Sequence, residues 1–273
     1  MRELIYNIPS SRLPQFRGRP VIVRLTDARA VADVPEADGA SIVYVQFMAD
    51  VFETHRLDRW PSGVPADVVL SNVENPFSQL YEYSRLLSDV PTRVTIPARR
   101  GFEKAAKLAA SLGMAVRLEP GQPGPDLMEA FHQALDSYLH QAGASQPVEF
   151  FHSVLSALYH RKPASLWTIQ EEDSGRYRYI DDSGAETISR RVPAGVVAGE
   201  LGTFVHRLQT HLLAKGAECA RCEFFPVCGG YFKWPEAAYR CDGIRSLFQI
   251  LWDAAEDLRK DVAVFGAIRE GGA

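Results

Sequence analysis

The sequence predicts an α/β fold in which parallel strands alternate with helices. Five short apolar runs rich in β-branched residues are separated by segments of helical period, and consecutive runs start 21 to 26 residues apart. Runs of this kind suit parallel strands covered on both faces, and their alternation with helices indicates βαβ units. The spacing fits a partial (β/α) barrel, although a flavodoxin-like sheet would give a similar pattern. The predicted strands are 20–25, 41–47, 66–71, 92–96 and 114–118.

The helices are predicted from apolar periodicity and from the residues at their ends. Segment 102–112 is rich in alanine and is followed by Gly113, a residue type that favours the turn after a helix. Segment 119–125 contains three prolines and two glycines, which end the sheet region. Residues 263–273 are rich in small side chains and are expected to fray. The predicted helices are 76–88, 102–112, 126–142, 148–159, 202–213 and 242–260.

All four cysteines of the chain lie within one short segment. Cys219, Cys222, Cys228 and Cys241 have the spacing C-x2-C-x5-C-x12-C. Thiolates at such intervals can converge on zinc or on an iron–sulfur cluster. The alternatives are two disulfides or four unrelated buried cysteines.

The N-terminus and the overall charge narrow these alternatives. The first residues contain neither the apolar stretch nor the cleavage site of a secretory signal, and no apolar run reaches the roughly 18 residues of a membrane span. A cytoplasmic location is therefore expected, and its reducing conditions favour a metal over disulfides. The net charge of −4 gives no indication of nucleic-acid binding.

Zinc and an iron–sulfur cluster both remain compatible with the residues around the cysteines. Structural zinc ribbons usually pair two short C-x2-C knuckles, whereas this chain has one. The surrounding aromatic residues would exclude water from a cluster and tune its potential, or would form the small core of a zinc-stapled domain. Nearby cations would offset the negative charge of a cluster held by four thiolates. The basic residues closest in sequence are Arg221, Lys233, Arg240 and Arg245.

Segment 219–241, CARCEFFPVCGGYFKWPEAAYRC, resembles the distal half of a SPASM domain. That domain is the C-terminal extension of many radical S-adenosylmethionine enzymes that modify peptides and proteins, and it carries two auxiliary [4Fe-4S] clusters. The resemblance covers residues 166–252, including a hairpin-like segment at 178–184 and a leucine–glycine segment at 197–202. It implies that the distal cluster is bound by Cys219, Cys222, Cys228 and Cys241.

The chain departs from that family where the other clusters would be bound. Phe232 stands in place of a family cysteine, and Ser189 stands where the hairpin cysteine falls. No cysteine precedes Cys219, so the C-x3-C-x2-C motif of the radical enzymes is missing, and the chain is not expected to cleave S-adenosylmethionine on its own. The resemblance implies a degenerate partial (β/α) barrel at 1–125, a helical connector at 126–165 and a SPASM-like cluster domain with a C-terminal helix at 166–273.

Other candidate sites have less support. His132 and His140 are eight residues apart on one predicted helix, as are His152 and His160 on another, but no carboxylate or cysteine joins them at ligand spacing. Polar residues at strand ends could line a cleft, or could cap the loop before the next helix. These strand-end residues are Asp27, Gln46, Ser71, Asn72, Glu74 and Asn75.

Three functions are compatible with these observations. The first is an iron–sulfur accessory protein with one auxiliary [4Fe-4S] cluster. It would form a hetero-oligomer with a complete radical S-adenosylmethionine enzyme and supply electron transfer or substrate positioning in the modification of a ribosomal peptide or protein. The second is a zinc-stabilised barrel enzyme, and the third is a peptide-binding protein with a metal staple. The first explains both the retained and the missing cysteines, whereas no catalytic constellation supports the second.

Overall fold

The computed structural model describes residues 3–25, 34, 41–48, 60, 63–71, 73–88, 90–140, 146–187 and 201–270. In these ranges the chain forms an α/β fold on a nine-stranded, mostly parallel sheet, which confirms the predicted fold class. Within the same residues, no helix has both the length and the apolar character needed to cross a bilayer.

Seven strands lie in the sheet in the order in which they occur along the chain, and each is parallel to its neighbours. This order differs from that of flavodoxin-like sheets, in which the strand order reverses at a switch point. The strands are β1 (Ile5–Pro9), β2 (Pro20–Leu25), β3 (Ser41–Met48), β4 (Ala66–Val69), β5 (Thr92–Pro97), β6 (Ala115–Glu119) and β7 (Val148–Glu149).

Two further strands extend the sheet beyond β1. Strand β8 (Tyr177–Ile180) is parallel to β1, and β9 (Glu186–Thr187) is antiparallel to β8. The turn between them contains Gly184 at φ 93°. It is held by Asp181, whose carboxylate accepts a hydrogen bond of 2.8 Å from the N–H of Ala185. The hairpin predicted at 178–184 is therefore present, and its pairing with β1 joins the N-terminal sheet to the segment that leads to the cysteines.

Eight α-helices and five short 3-10 helices complete the described residues. The α-helices are α1 (Phe77–Tyr83), α2 (Phe102–Ser111), α3 (Pro125–His140), α4 (Phe151–His160), α5 (Leu166–Ile169), α6 (Phe204–Ala214), α7 (Phe225–Cys228) and α8 (Asp242–Glu270). The 3-10 helices are Ser10–Phe16, Ser84–Ser88, Leu201–Thr203, Glu218–Arg221 and Tyr231–Lys233.

The observed elements differ most clearly from the predicted ones in three places. Strand β1 was not expected, because its sequence Ile-Tyr-Asn-Ile-Pro contains no continuous β-branched run. Residues 148–149, predicted as the start of a helix, form β7 instead. The side chain of Glu149 accepts hydrogen bonds from the N–H (3.2 Å) and hydroxyl (2.8 Å) of Ser153, and so caps α4 from the end of the strand. Helix α8 continues to Glu270, ten residues beyond its predicted end at residue 260.

The core lies between the sheet and the helices, and one chain of aromatic rings extends it toward the cysteines. The ring centroid of Phe131 lies 4.6 Å from that of Phe102 and 6.3 Å from that of Phe150. Phe150 in turn lies 6.4 Å from both Phe232 and Phe248. The helix α2, the helix α3 and the cysteine segment therefore share one continuous buried cluster.

Truncation of Phe131 should test the importance of this aromatic chain. Phe131 is fully buried, so Phe131→Ala is expected to lower the free energy of unfolding by about 3–5 kcal/mol through lost burial and a residual cavity. Phe77 on α1 is 57% exposed and provides the matched control. Phe77→Ala should change stability by less than about 0.5 kcal/mol. Urea unfolding of both variants measures the difference, and equal midpoints would contradict it.

Candidate metal centre and polar sheet face

The four cysteines line a single cavity in the C-terminal part of the chain. Cys219 lies in the 3-10 helix Glu218–Arg221, and Cys222 follows that helix directly. Cys228 ends the one-turn helix α7, and Cys241 directly precedes α8. Two separate segments thus contribute thiols to one space, as the sequence spacing predicted. All four cysteines are free thiols.

Two consecutive glycines turn the chain after Cys228. Gly229 and Gly230 have φ values of 57° and 74°, a left-handed conformation that side chains with a Cβ rarely adopt. A Cβ on Gly229 would lie 2.6 Å from Nε2 of Gln209, and one on Gly230 would lie 2.5 Å from Cδ1 of Leu212. The turn therefore favours glycine on backbone grounds, and a side chain at either position would also displace the end of Gln209 or Leu212. It directs Phe232 and Lys233 back toward the cysteines.

The wall of the cysteine cavity is mostly aromatic and apolar. It contains Phe224, Phe225, Phe232, Ile244 and Phe248, and the rings of Phe224 and Phe248 stack at 5.5 Å. Phe232 is fully buried in this wall.

Burial raises the pKa values of the thiols in this cavity. Desolvation raises the pKa of Cys228 to about 11, and it also raises the pKa values of Cys219 and Cys241. The ammonium group of Lys233 acts in the opposite direction on Cys219 and Cys241. Because thiolates are the ligands, occupation of the cavity by a metal must release protons.

Only two of the four basic residues near the cysteines reach the cavity. Lys233 is buried at its wall, Arg245 lines it but is 47% exposed, and Arg221 and Arg240 are exposed and do not line it. Arg240 and Arg245 both pair with Asp242, at 2.9 and 2.6 Å. Among the described residues, no group of three or more His, Cys, Asp or Glu side chains has the arrangement of a metal site. The side chains around the cavity are four thiols, an apolar wall, two cations and the carboxylate of Glu218, and four thiols are the donor set that a cluster uses.

A second group of functional interest, a buried polar network, lies on the sheet face opposite the helices. Asp67, Arg93 and Arg117 alternate with apolar residues of β4, β5 and β6 that pack against the helices. Glu171, from the loop between α5 and β8, completes the network with Tyr44 of β3. The sequence signal was a single charge inside each of three apolar strands, which the prediction did not use.

Each charge of this network is matched by an opposite charge. The Asp67 carboxylate accepts hydrogen bonds from Gln46 Nε2 (2.7 Å), Thr95 Oγ1 (2.7 Å) and Arg93 Nη2 (2.9 Å). The Glu171 carboxylate accepts them from the Tyr44 hydroxyl (2.5 Å), Arg93 Nη1 (3.1 Å) and Arg117 Nη1. Two carboxylates and two guanidinium groups therefore form the centre of the network, and Glu119, 34% exposed, adds a third carboxylate 3.3 Å from Arg117 Nη2.

The network shifts the pKa values of Asp67 and Glu171 in the direction that keeps both carboxylates charged. Burial alone would raise the pKa of Asp67, but Arg93 and Arg117 lower it well below its usual range. Burial alone would likewise raise the pKa of Glu171, but Arg117 and Arg93 lower it. Burial and the neighbouring Glu171 raise the pKa of Tyr44, so its hydroxyl remains a donor.

An open cleft separates this network from the cysteine cavity. It has an empty volume of about 990 Å³, part of it open to solvent, and lies at the carboxyl ends of β5 and β6. Arg117 and Glu171 form part of its floor, and Tyr177, Tyr179 and Tyr231 are among its walls. The segment between Cys228 and Lys233 lines both the cleft and the cysteine cavity. Tyr231 lines the cleft, whereas Gly230 and Phe232 line the cysteine cavity.

The other predicted candidates do not form a site in the described residues. His132 Nδ1 lies 2.8 Å from the carbonyl of Met128, whereas His140 lies near Asp136 on the exposed side of α3. His152 Nδ1 lies 2.9 Å from the Tyr138 hydroxyl, and His160 packs on the ring of Tyr159. Gln46 belongs to the polar network, and Glu74 and Asn75 are exposed. Asp27, Asn72, Ser189 and segment 197–200 lie outside the described residues.

Comparisons of this chain with protein-family models, with curated proteins and with solved structures gave no match. Its function is therefore inferred from its own residues.

Neutralisation of Asp67 should reveal how much the polar network stabilises the fold. Asp67→Asn removes the buried carboxylate that pairs with Arg93 at 2.9 Å, and is expected to lower the free energy of unfolding by about 3–5 kcal/mol at pH 7. The lowered pKa of Asp67 means that its contribution is present above the unfolded-state pKa of about 3.9 and is lost as pH falls through the folded-state value. The difference in free energy of unfolding between Asp67→Asn and wild type should therefore become smaller toward pH 3.

Urea midpoints at pH 7 and pH 3 measure this dependence. Asp136→Asn on the exposed side of α3 is the control, with an expected effect below about 0.5 kcal/mol. A cost for Asp67→Asn that is the same at both pH values would show that the charge of Asp67 is not what stabilises the sheet.

Proposed function

We propose that this chain is an iron–sulfur accessory protein that carries one [4Fe-4S] cluster and acts with a complete radical S-adenosylmethionine enzyme on a ribosomal peptide or protein. The observation that carries the proposal is the single apolar cavity lined by Cys219, Cys222, Cys228 and Cys241. Cysteines from two segments contribute to it, and clusters of this type are held by four cysteine thiolates. The cations Lys233 and Arg245 at its wall would offset part of the negative charge of the bound cluster, whereas Glu218, which pairs with Lys233, would add to it.

A bound cluster would supply one-electron transfer. The chain's own part is to hold it through the four thiolates and to exclude water with the phenylalanine wall. Hydrogen bonds and local charge around the sulfur atoms set the reduction potential of such a cluster. The aromatic chain that ends at Phe224 and Phe248 anchors this site to the sheet.

The sheet is consistent with a degenerate partial (β/α) barrel of the radical S-adenosylmethionine type followed by a SPASM-like domain. The sequential parallel order of β1 to β7 is the order of barrel strands, and the hairpin β8–β9 precedes the cysteines as in the SPASM pattern. The inner polar face is occupied by the chain's own ion pairs. This arrangement favours a role beside a catalytic partner.

The open cleft supports a role in substrate positioning. It lies at the carboxyl ends of parallel strands, where ligands of α/β proteins bind. Tyr231 lines the cleft and its neighbours Gly230 and Phe232 line the cysteine cavity, so a peptide segment in the cleft would lie close to the cluster. The walls contain tyrosines together with charged residues of both signs, which suits a peptide with mixed side chains.

Helix α8 supplies an exposed apolar surface for a partner. Leu258 and Val262 are four residues apart and are 43% and 56% exposed. Leu251 and Ala255, each seven residues earlier and therefore on the same side of the helix, pack into the core, so the apolar stripe of α8 continues beyond the part that the core covers. Exposed apolar side chains on one face of a helix are typical of protein–protein interfaces.

Metal analysis of the purified chain tests the cluster. Anaerobic preparation with sufficient iron should give about four iron and four sulfide per chain, together with broad visible absorption. Each single Cys→Ala variant at the four positions should lose or destabilise the cluster. Arg221→Gln, an exposed change within the first knuckle, should retain it. Stoichiometric zinc without sulfide would contradict the proposal and favour a zinc-stabilised enzyme or peptide-binding protein.

Co-expression with a cysteine-complete radical S-adenosylmethionine enzyme tests the partnership. The two chains should co-elute in size exclusion, and the chain alone should yield no 5′-deoxyadenosine with a chemical reductant. Leu258→Glu should weaken co-elution, because it places a charge on the apolar surface of α8. Ser111→Glu adds the same charge at an exposed position of α2 and should leave co-elution unchanged. Equal peptide modification with and without this chain would contradict the accessory role.

A further inference from the structure

A buried ion pair connects the segment of Cys241 to the segment that carries the other three cysteines. The Lys233 ammonium donates to the Glu218 carboxylate at 2.5 Å, and the Lys233 side chain is 6% exposed. The same ammonium donates to the carbonyl of Tyr239. Glu218 Oε1 also accepts a hydrogen bond of 3.1 Å from the N–H of Cys241. Lysine is rarely buried to this degree without a specific partner.

The sequence positions of these groups show what the ion pair holds together. Glu218 directly precedes Cys219, Lys233 lies five residues after Cys228, and Tyr239 lies two residues before Cys241. The last cysteine is separated from the others by 12 intervening residues, so local turns cannot fix its position. The contacts of Glu218 and Lys233 join its segment directly to the segments of Cys219 and Cys228.

Both partners also contribute charge to the cavity wall. Lys233 and Glu218 line the cavity together with the four thiols. A cation near a cluster stabilises its reduced, more negative state, and an anion does the opposite. The two residues therefore have opposite effects on the bound group while they depend on each other for burial.

We infer that the Lys233–Glu218 ion pair positions Cys241 relative to Cys219 and sets the reduction potential of the cluster through its two opposite charges. This inference rests on the proposed iron–sulfur function. Lys233 and Glu218 act through the thiolates and the local field. They are positioning residues, not ligands.

Redox titration of the full chain, reconstituted anaerobically and followed by EPR, tests the inference. Lys233→Met should shift the potential to more negative values, because it removes the cation and leaves Glu218 unpaired. Glu218→Gln should shift it to more positive values. The reduction potential of the double variant Lys233→Met/Glu218→Gln should lie between those of the two single variants. Arg240→Gln is the control, because Arg240 is an exposed cation next to Cys241 that does not line the cavity.

The outcomes separate this inference from the proposed function. Shifts of opposite sign in the two single variants support the inference. Loss of the cluster in Lys233→Met, together with its retention in Lys233→Arg, also supports the inference. A full cluster with the same potential in wild type, Lys233→Met and Glu218→Gln would overturn the inference alone. A wild-type chain without iron and sulfide would overturn the proposed function, and the inference with it.

Discussion

The burial of one carboxylate, that of Asp67 in the centre of β4, constrains much of this structure. A charge at that depth needs partners that can also be buried. Arg93 and Arg117 on the next two strands provide them, and their positive charges require a second carboxylate in turn. Glu171 supplies it from the loop before β8. The same loop leads into the strand that pairs with β1, so pairing of the buried charges on the sheet face and closure of its edge are satisfied by one segment.

The sequence predicted the five central strands and the class of the fold because burial on both faces leaves a clear apolar signal. It could not predict β1 or β7, since Asn7 and Pro9 interrupt the first and the second is only two residues long. Their extended conformation comes from pairing with neighbours that are distant in sequence. The polar network was missed for a related reason: single charges inside apolar runs resemble exposed residues until strand register places them side by side.

The cysteine cavity was predictable in a way that the polar network was not, because cysteine is rare and its spacing is informative. That the four thiols line one space agrees with the spacing. Which cations accompany them was not predictable: Arg221 and Lys233 are both basic and close in sequence, yet only the second is buried. The difference arises from the glycine turn at 229–230, which directs the following residues inward. Local composition identified the candidate ligands, whereas tertiary structure selects the residues around them.

The pairing of β8 with β1 has a consequence for how the chain folds during synthesis. The two strands are separated by 167 residues, since β1 ends at Pro9 and β8 begins at Tyr177. At ribosomal rates of about 5–20 residues per second, the outer edge of β1 remains without its partner for roughly 8–35 s. During the same interval Arg93 and Arg117 have no Glu171. The N-terminal strands therefore emerge with an open edge and without one of the carboxylates of their polar network, and folding of this sheet is completed only after the hairpin leaves the ribosome.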